Sequence, residues 1–151
     1  MKKFLVLALV LAVSSMASAV VVNEVGAGYG LVEVAPGVID VVALVTDPAP
    51  IAYLIGSNEL VLGAGAPAAD ATSVGGAFGA FASDFWGFMG ATGALPAGSL
   101  VLDDTTYVGA AGVIQLFSVD EGDMSTTLLS TATIPEPMTV ALLGLGGLFL
   151  R

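Results

Sequence analysis

The chain has 151 residues, of which 20 are Gly and none is Cys or His, and its formal net charge is −10. All three cations stand at the ends, as Lys2, Lys3 and Arg151, so positions 4–150 contain no Lys or Arg. This composition excludes Ser-His-Asp, Cys-His and Lys-based catalysis, and it excludes nucleic acid as a partner, because binding a phosphate backbone requires cations.

The first nineteen residues have the three parts of a secretory signal peptide. Lys2 and Lys3 form a positive start, an uncharged apolar run of ten residues follows at 4–13, and Ala17 and Ala19 supply the small residues of a cleavage site. Ten apolar residues are fewer than the roughly twenty that span a bilayer. We therefore predict cleavage by signal peptidase after Ala19.

From Val20 onward, short β-branched runs alternate with turn residues. The pattern predicts strands over 20–25, 31–34, 38–46, 51–55, 59–62, 99–103, 105–108, 112–119 and 125–133. Two hairpins are expected, one joining 51–55 to 59–62 about Gly56-Ser57-Asn58 and one joining 99–103 to 105–108. The run 38–46 is apolar except for Asp40, which indicates burial on both faces.

Two stretches depart from this alternation. Residues 63–76 are rich in Ala, Gly and Pro and predict a long loop. In 77–89, Phe78, Phe81, Phe85 and Phe88 recur at steps of three and four, which predicts a short helix, and the neighbouring Gly residues leave an aromatic-rich loop as the alternative.

The predicted fold class is therefore all-β. About eight short strands with regularly spaced turns are typical of an antiparallel β-sandwich of the immunoglobulin, cohesin or jelly-roll kind. One short aromatic helix or loop would flank it. The sandwich would occupy residues 20–133 as an acidic ectodomain between a signal-peptide helix and a C-terminal apolar helix.

Clustered carboxylates make two candidate calcium sites, since calcium prefers oxygen ligands. One is Asp103-Asp104, and the other is the turn formed by Asp120, Glu121 and Asp123. Neither has the alternating spacing of an EF-hand loop, and solvated acidic turns are the alternative interpretation.

A pair of carboxylates across a cleft would also suit a small glycosidase. Twelve carboxylates in so short a domain produce chance pairs, however, and we expect no enzyme.

The aromatic cluster predicts a second kind of site. Trp86 and Phe85 are candidate carbohydrate-binding residues, because aromatic faces stack on the apolar faces of sugars. The alternative is that the aromatic stripe packs against the sandwich.

The last eighteen residues form an apolar tail behind a proline-rich start. Pro135 and Pro137 keep the chain extended and prevent a helix from beginning before Met138. Residues 138–150 carry no charge and would form a helix about 20 Å long, which is short of the roughly 30 Å core of a bilayer. Such a segment suits a transient inner-membrane anchor, with Arg151 on the cytoplasmic side.

The motif Pro135-Glu136-Pro137, the short apolar segment and the basic Arg151 resemble the PEP-CTERM sorting signal of bacterial secreted proteins. The resemblance covers residues 134–151 and implies processing by an exosortase-type membrane enzyme, with Pro135, Glu136 and Pro137 as recognition elements. It also implies delivery to the cell surface or to a polysaccharide-rich extracellular matrix. More faintly, the strand at 112–119, its acidic turn and the Thr-rich strand after it are similar to the closing strands of cohesin-like sandwiches.

Overall fold

The structure is a computed structural model that describes residues 21–24, 28–46, 49–63, 65–67, 71–72, 77–91 and 94–136. Within these ranges every regular element is a strand. The strands are β1 (Val21–Glu24), β2 (Tyr29–Ala35), β3 (Val38–Ala43), β4 (Ile51–Ser57), β5 (Val61–Gly63), β6 (Ala66–Pro67), β7 (Ala71–Thr72), β8 (Ser83–Ala91), β9 (Leu100–Val108), β10 (Gly112–Val119) and β11 (Thr126–Ile134). The predicted all-β class is confirmed.

The described strands form two antiparallel sheets. The first, here called the β4 sheet, has the strand order β1-β11-β10-β4-β8-β7, and the second, the β9 sheet, has the order β2-β3-β9-β5 with β6 also paired to β9. β1 pairs with β11 so that Val21 lies opposite Thr133. The beginning and the end of the domain are therefore neighbours on one edge of the β4 sheet.

A single large core lies between the sheets. Leu31, Ile39 and Leu102 of the β9 sheet and Ile55 and Ile114 of the β4 sheet are each fully buried in it. Because side chains alternate along a strand, Asp40 beside Ile39 and Leu54 beside Ile55 point to the outer faces. Val101 is an exception, since it lies at a register shift and is buried in the core with Leu102. The two sheets thus pack as a sandwich.

The helix predicted within 77–89 is wrong. The regular part of 77–91 is strand β8, in which Phe85 and Met89 are buried in the core while Phe88 is 40% exposed. The Phe spacing of three and four suggested a helix, but β8 is held by a full antiparallel register with β4, from Ile51 opposite Met89 to Ser57 opposite Ser83. Strand pairing outweighed the local periodicity.

Both predicted hairpins are wrong. β4 pairs with β8 and β10, whereas β5 pairs with β9 in the other sheet. The chain changes sheets at Ser57, whose buried Oγ accepts hydrogen bonds from the N–H groups of Leu60 (3.0 Å) and Glu59 (3.3 Å). The segments predicted at 99–103 and 105–108 are one strand, β9, whose register with β3 shifts twice, between Ile39 and Val41 and between Val41 and Val42.

Two further differences are smaller. β3 ends at Ala43, three residues before the predicted limit, and the N–H of Ala43 donates to the carbonyl of Ser99 (2.8 Å). The stretch predicted as a long loop contains the two-residue strands β6 and β7. The flanking signal-peptide and C-terminal helices fall outside the described residues.

Candidate functional site: an acidic bulge between β3 and β9

The candidate site is formed at the bulge of β9 that lies opposite Asp40. Along the β3–β9 pair, Ile39 lies opposite Thr105 and Val41 opposite Leu102, so two residues of β9 face Asp40 alone. These two are Asp103 and Asp104. Asp104 has a φ of 55°, a left-handed conformation that Asp tolerates better than most residues. The extra residue brings three carboxylates to one place.

The three carboxylates converge across the strand pair. One oxygen from each of Asp40, Asp103 and Asp104 lies within 4.8 Å of the others. Asp40 is 7% exposed, Asp103 is half-buried and Asp104 is exposed. The N–H of Asp104 donates to Oδ1 of Asp40 at 3.1 Å. The bulge therefore supplies both the like charges and one backbone donor.

The electrostatics of the cluster disfavour a charged Asp40. Burial raises the pKa of Asp40; the hydrogen bond from the N–H of Asp104 opposes this rise, and the nearby charges of Asp103 and Asp104 add to it. No Lys or Arg occurs at positions 4–150 to compensate. Chemically, the cluster is suited to holding a proton or a positively charged group. Its oxygen ligands are of the type that calcium prefers.

Sequence reasoning found part of this cluster. Asp103-Asp104 was predicted as a candidate calcium ligand pair, but the third member, Asp40, lies 63 positions earlier and was not joined to it. The available signal was the lone carboxylate in the apolar run 38–46. A single charge in a strand expected to be buried on both faces calls for a partner.

The acidic turn after β10 is arranged differently. Oδ1 of Asp120 accepts the N–H of Gly122 (2.8 Å), and Oδ1 of Asp123 accepts the N–H of Ser125 (2.9 Å). These residues and Glu121 are exposed. Among the described residues, the group of three acidic side chains that converges is the bulge cluster, and it does not include the turn. The turn carboxylates thus close the β10–β11 connection.

The predicted carbohydrate-binding pair is divided between two faces. Phe85 is 8% exposed and packs edge-on against Tyr53 in the core, with ring centroids 6.4 Å apart. Trp86 points outward from the β4 sheet and joins a second apolar cluster, which contains Ala52, Leu54, Phe78, Phe81, Trp86, Phe117 and Val119. A ligand on the outer face would therefore meet Trp86 and not Phe85.

Asp84 holds the loop that covers part of this outer cluster. Its Oδ1 accepts the N–H groups of Phe78 (3.2 Å) and Gly79 (3.1 Å), and its Oδ2 accepts those of Ala80 (2.6 Å) and Phe81 (3.0 Å). Burial alone would raise the pKa of Asp84, but the four N–H donors outweigh it and lower the pKa below 3.8. Sequence reasoning assigned Asp84 no role.

The sorting residues lie at the limit of the structure. β11 ends at Ile134, and Pro135 and Glu136 follow it as exposed residues without regular structure. Pro137 and Arg151, like Ala17 and Ala19 of the predicted signal-peptidase site, fall outside the described residues.

The part of the chain that the structure describes contains no helix long and apolar enough to cross a membrane.

No protein-family model matches the chain, and neither the curated proteins nor the solved structures gave a match.

Proposed function

We propose that this protein is an exported, non-enzymatic component of the cell surface or extracellular matrix, sorted and trimmed through its C-terminal Pro-Glu-Pro signal. The observation that carries the proposal is the order of parts in the sequence. A signal peptide at 1–19 precedes an acidic β domain, and Pro135-Glu136-Pro137 leads into an uncharged apolar run that ends at Arg151. Its partners would be signal peptidase, an exosortase-type enzyme and, transiently, the inner membrane.

The position of the motif relative to the sheet supports trimming. Ile134 is the last residue of β11 and is buried, whereas Pro135 and Glu136 are exposed. A processing enzyme could reach this segment without opening the sandwich. Cleavage beyond Ile134 would leave every described strand intact.

The chemistry of the side chains supports a non-enzymatic role. His and Cys are absent, and the predicted mature region has no Lys, so the common nucleophile and base pairs cannot form. The converging carboxylates lie on the outer face of a sheet, where Asp40 alternates with the core residues Ile39 and Val41.

Intact-mass measurement of the protein recovered from the culture medium tests the processing claim. We expect loss of residues 1–19 and of a C-terminal segment beginning within or just after 135–137. Glu136→Gln should leave the tail attached, whereas Pro96→Ala, at an exposed loop proline, should be processed normally. Secreted protein that retains residues 138–151 in full would overturn the proposal.

Carbohydrate binding by the outer face of the β4 sheet is the alternative function. The observation that favours it is the exposure of aromatic surface there: Phe88 is 40% exposed and Trp86 is half-buried beside it, both projecting outward from β8. An aromatic face of this kind can stack on the apolar face of a sugar. The ligand would be an extracellular polysaccharide.

Trp86 is the one Trp in the chain, so its fluorescence reports this face alone. We expect polysaccharide to change the emission of Trp86, and Phe88→Ala to weaken retention on that polysaccharide. Val61→Ala, which truncates an exposed side chain on the other sheet, is the matched control. Unchanged emission at saturating polysaccharide would eliminate the alternative.

A further inference from the structure

Apolar side chains lie beside the acidic bulge on the outer face of the β9 sheet. Leu31, Ile39 and Leu102 point into the core, and positions that alternate with such core residues point outward. We call six apolar residues of this outer face the valine face: Val32, Val38, Val42, Val61, Leu100 and Val108. Val61 and Val108 are cross-strand neighbours and are 66% and 71% exposed, and the other four are half-buried.

The acidic bulge lies within this face. On β3, Asp40 stands between the outward-pointing Val38 and Val42, and across the sheet it lies opposite Val32. Its oxygen is within 4.8 Å of carboxylate oxygens of Asp103 and Asp104. Asp40, one of the three converging negative groups, is thus flanked by Val38, Val42 and Val32. Such a combination of charge and apolar area is characteristic of a surface that is completed by a partner.

We propose that the valine face is a docking surface for a different protein, whose contact region presents a Lys or Arg among apolar side chains. The cation would lie against Asp103 and Asp104 and offset the cost of the buried Asp40 charge, while the apolar side chains would cover the exposed valines. The carboxylates set the register of the contact and the valines supply most of the buried apolar area.

Charge complementarity identifies the partner as a different protein. A second copy of this chain brings no Lys or Arg from positions 4–150 and has the same net charge of −10, so two valine faces would repel each other at their acidic centres. Nucleic acid is excluded by the same charge. This inference does not depend on the proposed export and trimming.

A matched pair of peptides tests the proposal by NMR on the ¹⁵N-labelled full chain in EDTA. The probe is acetyl-Val-Thr-Lys-Thr-Val-amide, which places Val, Lys and Val on one side of an extended strand; the control peptide has Gln in place of Lys. We expect the Lys peptide to shift the amide signals of Val42, Leu100, Asp103 and Asp104, and to bind about three to ten times more tightly than the Gln peptide.

Two variants locate the charge effect. Asp104→Asn keeps a side chain that tolerates the left-handed φ of 55°, and it should weaken binding of the Lys peptide towards the level of the Gln peptide. Glu121→Gln removes the same charge from the exposed turn after β10 and should leave binding unchanged.

Four results of the titration would overturn the proposal. They are equal binding of the two peptides, no binding of either, shifts confined to other surfaces, and calcium chloride alone, in buffer without EDTA, producing the shifts while the Lys peptide produces none. The last result would make the bulge a metal site. Sedimentation that shows concentration-dependent dimerisation lost in Asp104→Asn would instead identify a second copy as the occupant.

Discussion

Asp40 shows how one buried carboxylate can lower the stability of a sheet. Its charged form is desolvated and lies beside Asp103 and Asp104, while its Oδ1 accepts one N–H that an amide oxygen could accept equally well. A side chain of the same shape without the charge would keep the hydrogen bond and remove the repulsion.

We therefore expect Asp40→Asn to raise the free energy of unfolding at pH 7 by about 1 kcal/mol. Because the folded state raises the pKa of Asp40, the wild-type penalty grows as the pH rises from 3.8 and is complete above the raised pKa. The gain should therefore vanish at acid pH. Urea unfolding in EDTA at several pH values measures it, with Glu121→Gln as control; a destabilised Asp40→Asn at pH 7 would contradict the assignment.

Asp84, unlike Asp40, is a carboxylate whose charged form is stabilised by the fold. Four N–H donors stabilise its charged form, and its pKa is lowered. The contribution of Asp84 is therefore fully present above pH 3.8 and is lost as the pH falls through the lowered pKa. We expect Asp84→Ala to cost about 2 kcal/mol at pH 7 and to lose its effect in strong acid. Asp123→Ala, at an exposed turn, should cost less in the same unfolding measurement.

At the scale of elements, the corner at Ser57 is where the chain passes from β4 in one sheet to β5 in the other. Ser57 is 1% exposed, and its hydroxyl accepts the N–H of the buried Leu60 and the N–H of the exposed Glu59. Leu60, three residues on, is 1% exposed in the core and anchors the crossing. The corner thus replaces the tight hairpin that the Gly-Ser-Asn sequence suggested.

Ser57→Ala is expected to cost about 1–3 kcal/mol, because it leaves the buried N–H of Leu60 unsatisfied. Ser118→Ala is the matched control: the Ser118 hydroxyl is half-buried and donates to the carbonyl of Thr127 at 3.4 Å, so its loss should cost well under 1 kcal/mol. Chemical denaturation of both variants gives the comparison. Equal costs would show that the corner is held by Leu60 and not by the hydroxyl.

The elements also show how far the sequence predicts the fold. β2, β3, β10 and β11 have alternating or continuous apolar patterns, and their existence was predicted to within a few residues. Strand β8 was not predicted, because the Phe residues in and before it recur at helical spacing. Of the two Phe residues in β8, only Phe85 enters the core. The predicted hairpins failed since pairing depends on partners distant in sequence.

The acidic site was predicted only in part, because it too depends on strand pairing between residues distant in sequence. Adjacent carboxylates such as Asp103-Asp104 are visible in a sequence as a pair. Their convergence with Asp40 depends on the β3–β9 register and on the bulge that shifts it, and neither leaves a local signal. A position-by-position search for ligands therefore found two of the three groups.

At the scale of the whole molecule, every charged side chain at positions 4–150 is negative. Positions 4–150 hold all thirteen carboxylates and no cation, so no ion pair offsets their mutual repulsion there. Repulsion between exposed charges is reduced when the salt concentration rises, because the Debye length falls from about 30 Å at 0.01 M to about 8 Å at 0.15 M. The compact state gains most from this screening, since its charges are closest together.

We expect the free energy of unfolding to rise by about 1 kcal/mol between 0.01 and 0.15 M sodium chloride at pH 7. At pH 3, where most carboxylates are protonated, the same change in salt should have a smaller effect. Thermal unfolding at the two salt concentrations and two pH values provides the measurement. A fall in stability with salt at pH 7 would mean that attractive interactions outweigh the repulsion.

The pairing of β1 with β11 determines how the domain responds to tension between its ends. Val21 and Thr133 are antiparallel partners, so the two chain ends leave the sheet side by side and in line with the hydrogen bonds that join β1 to β11. A force pulling these ends apart loads the bonds one pair at a time, as in opening a zipper, and meets little resistance. A domain attached through both ends would release its first strand under a modest load while the remaining strands stay paired.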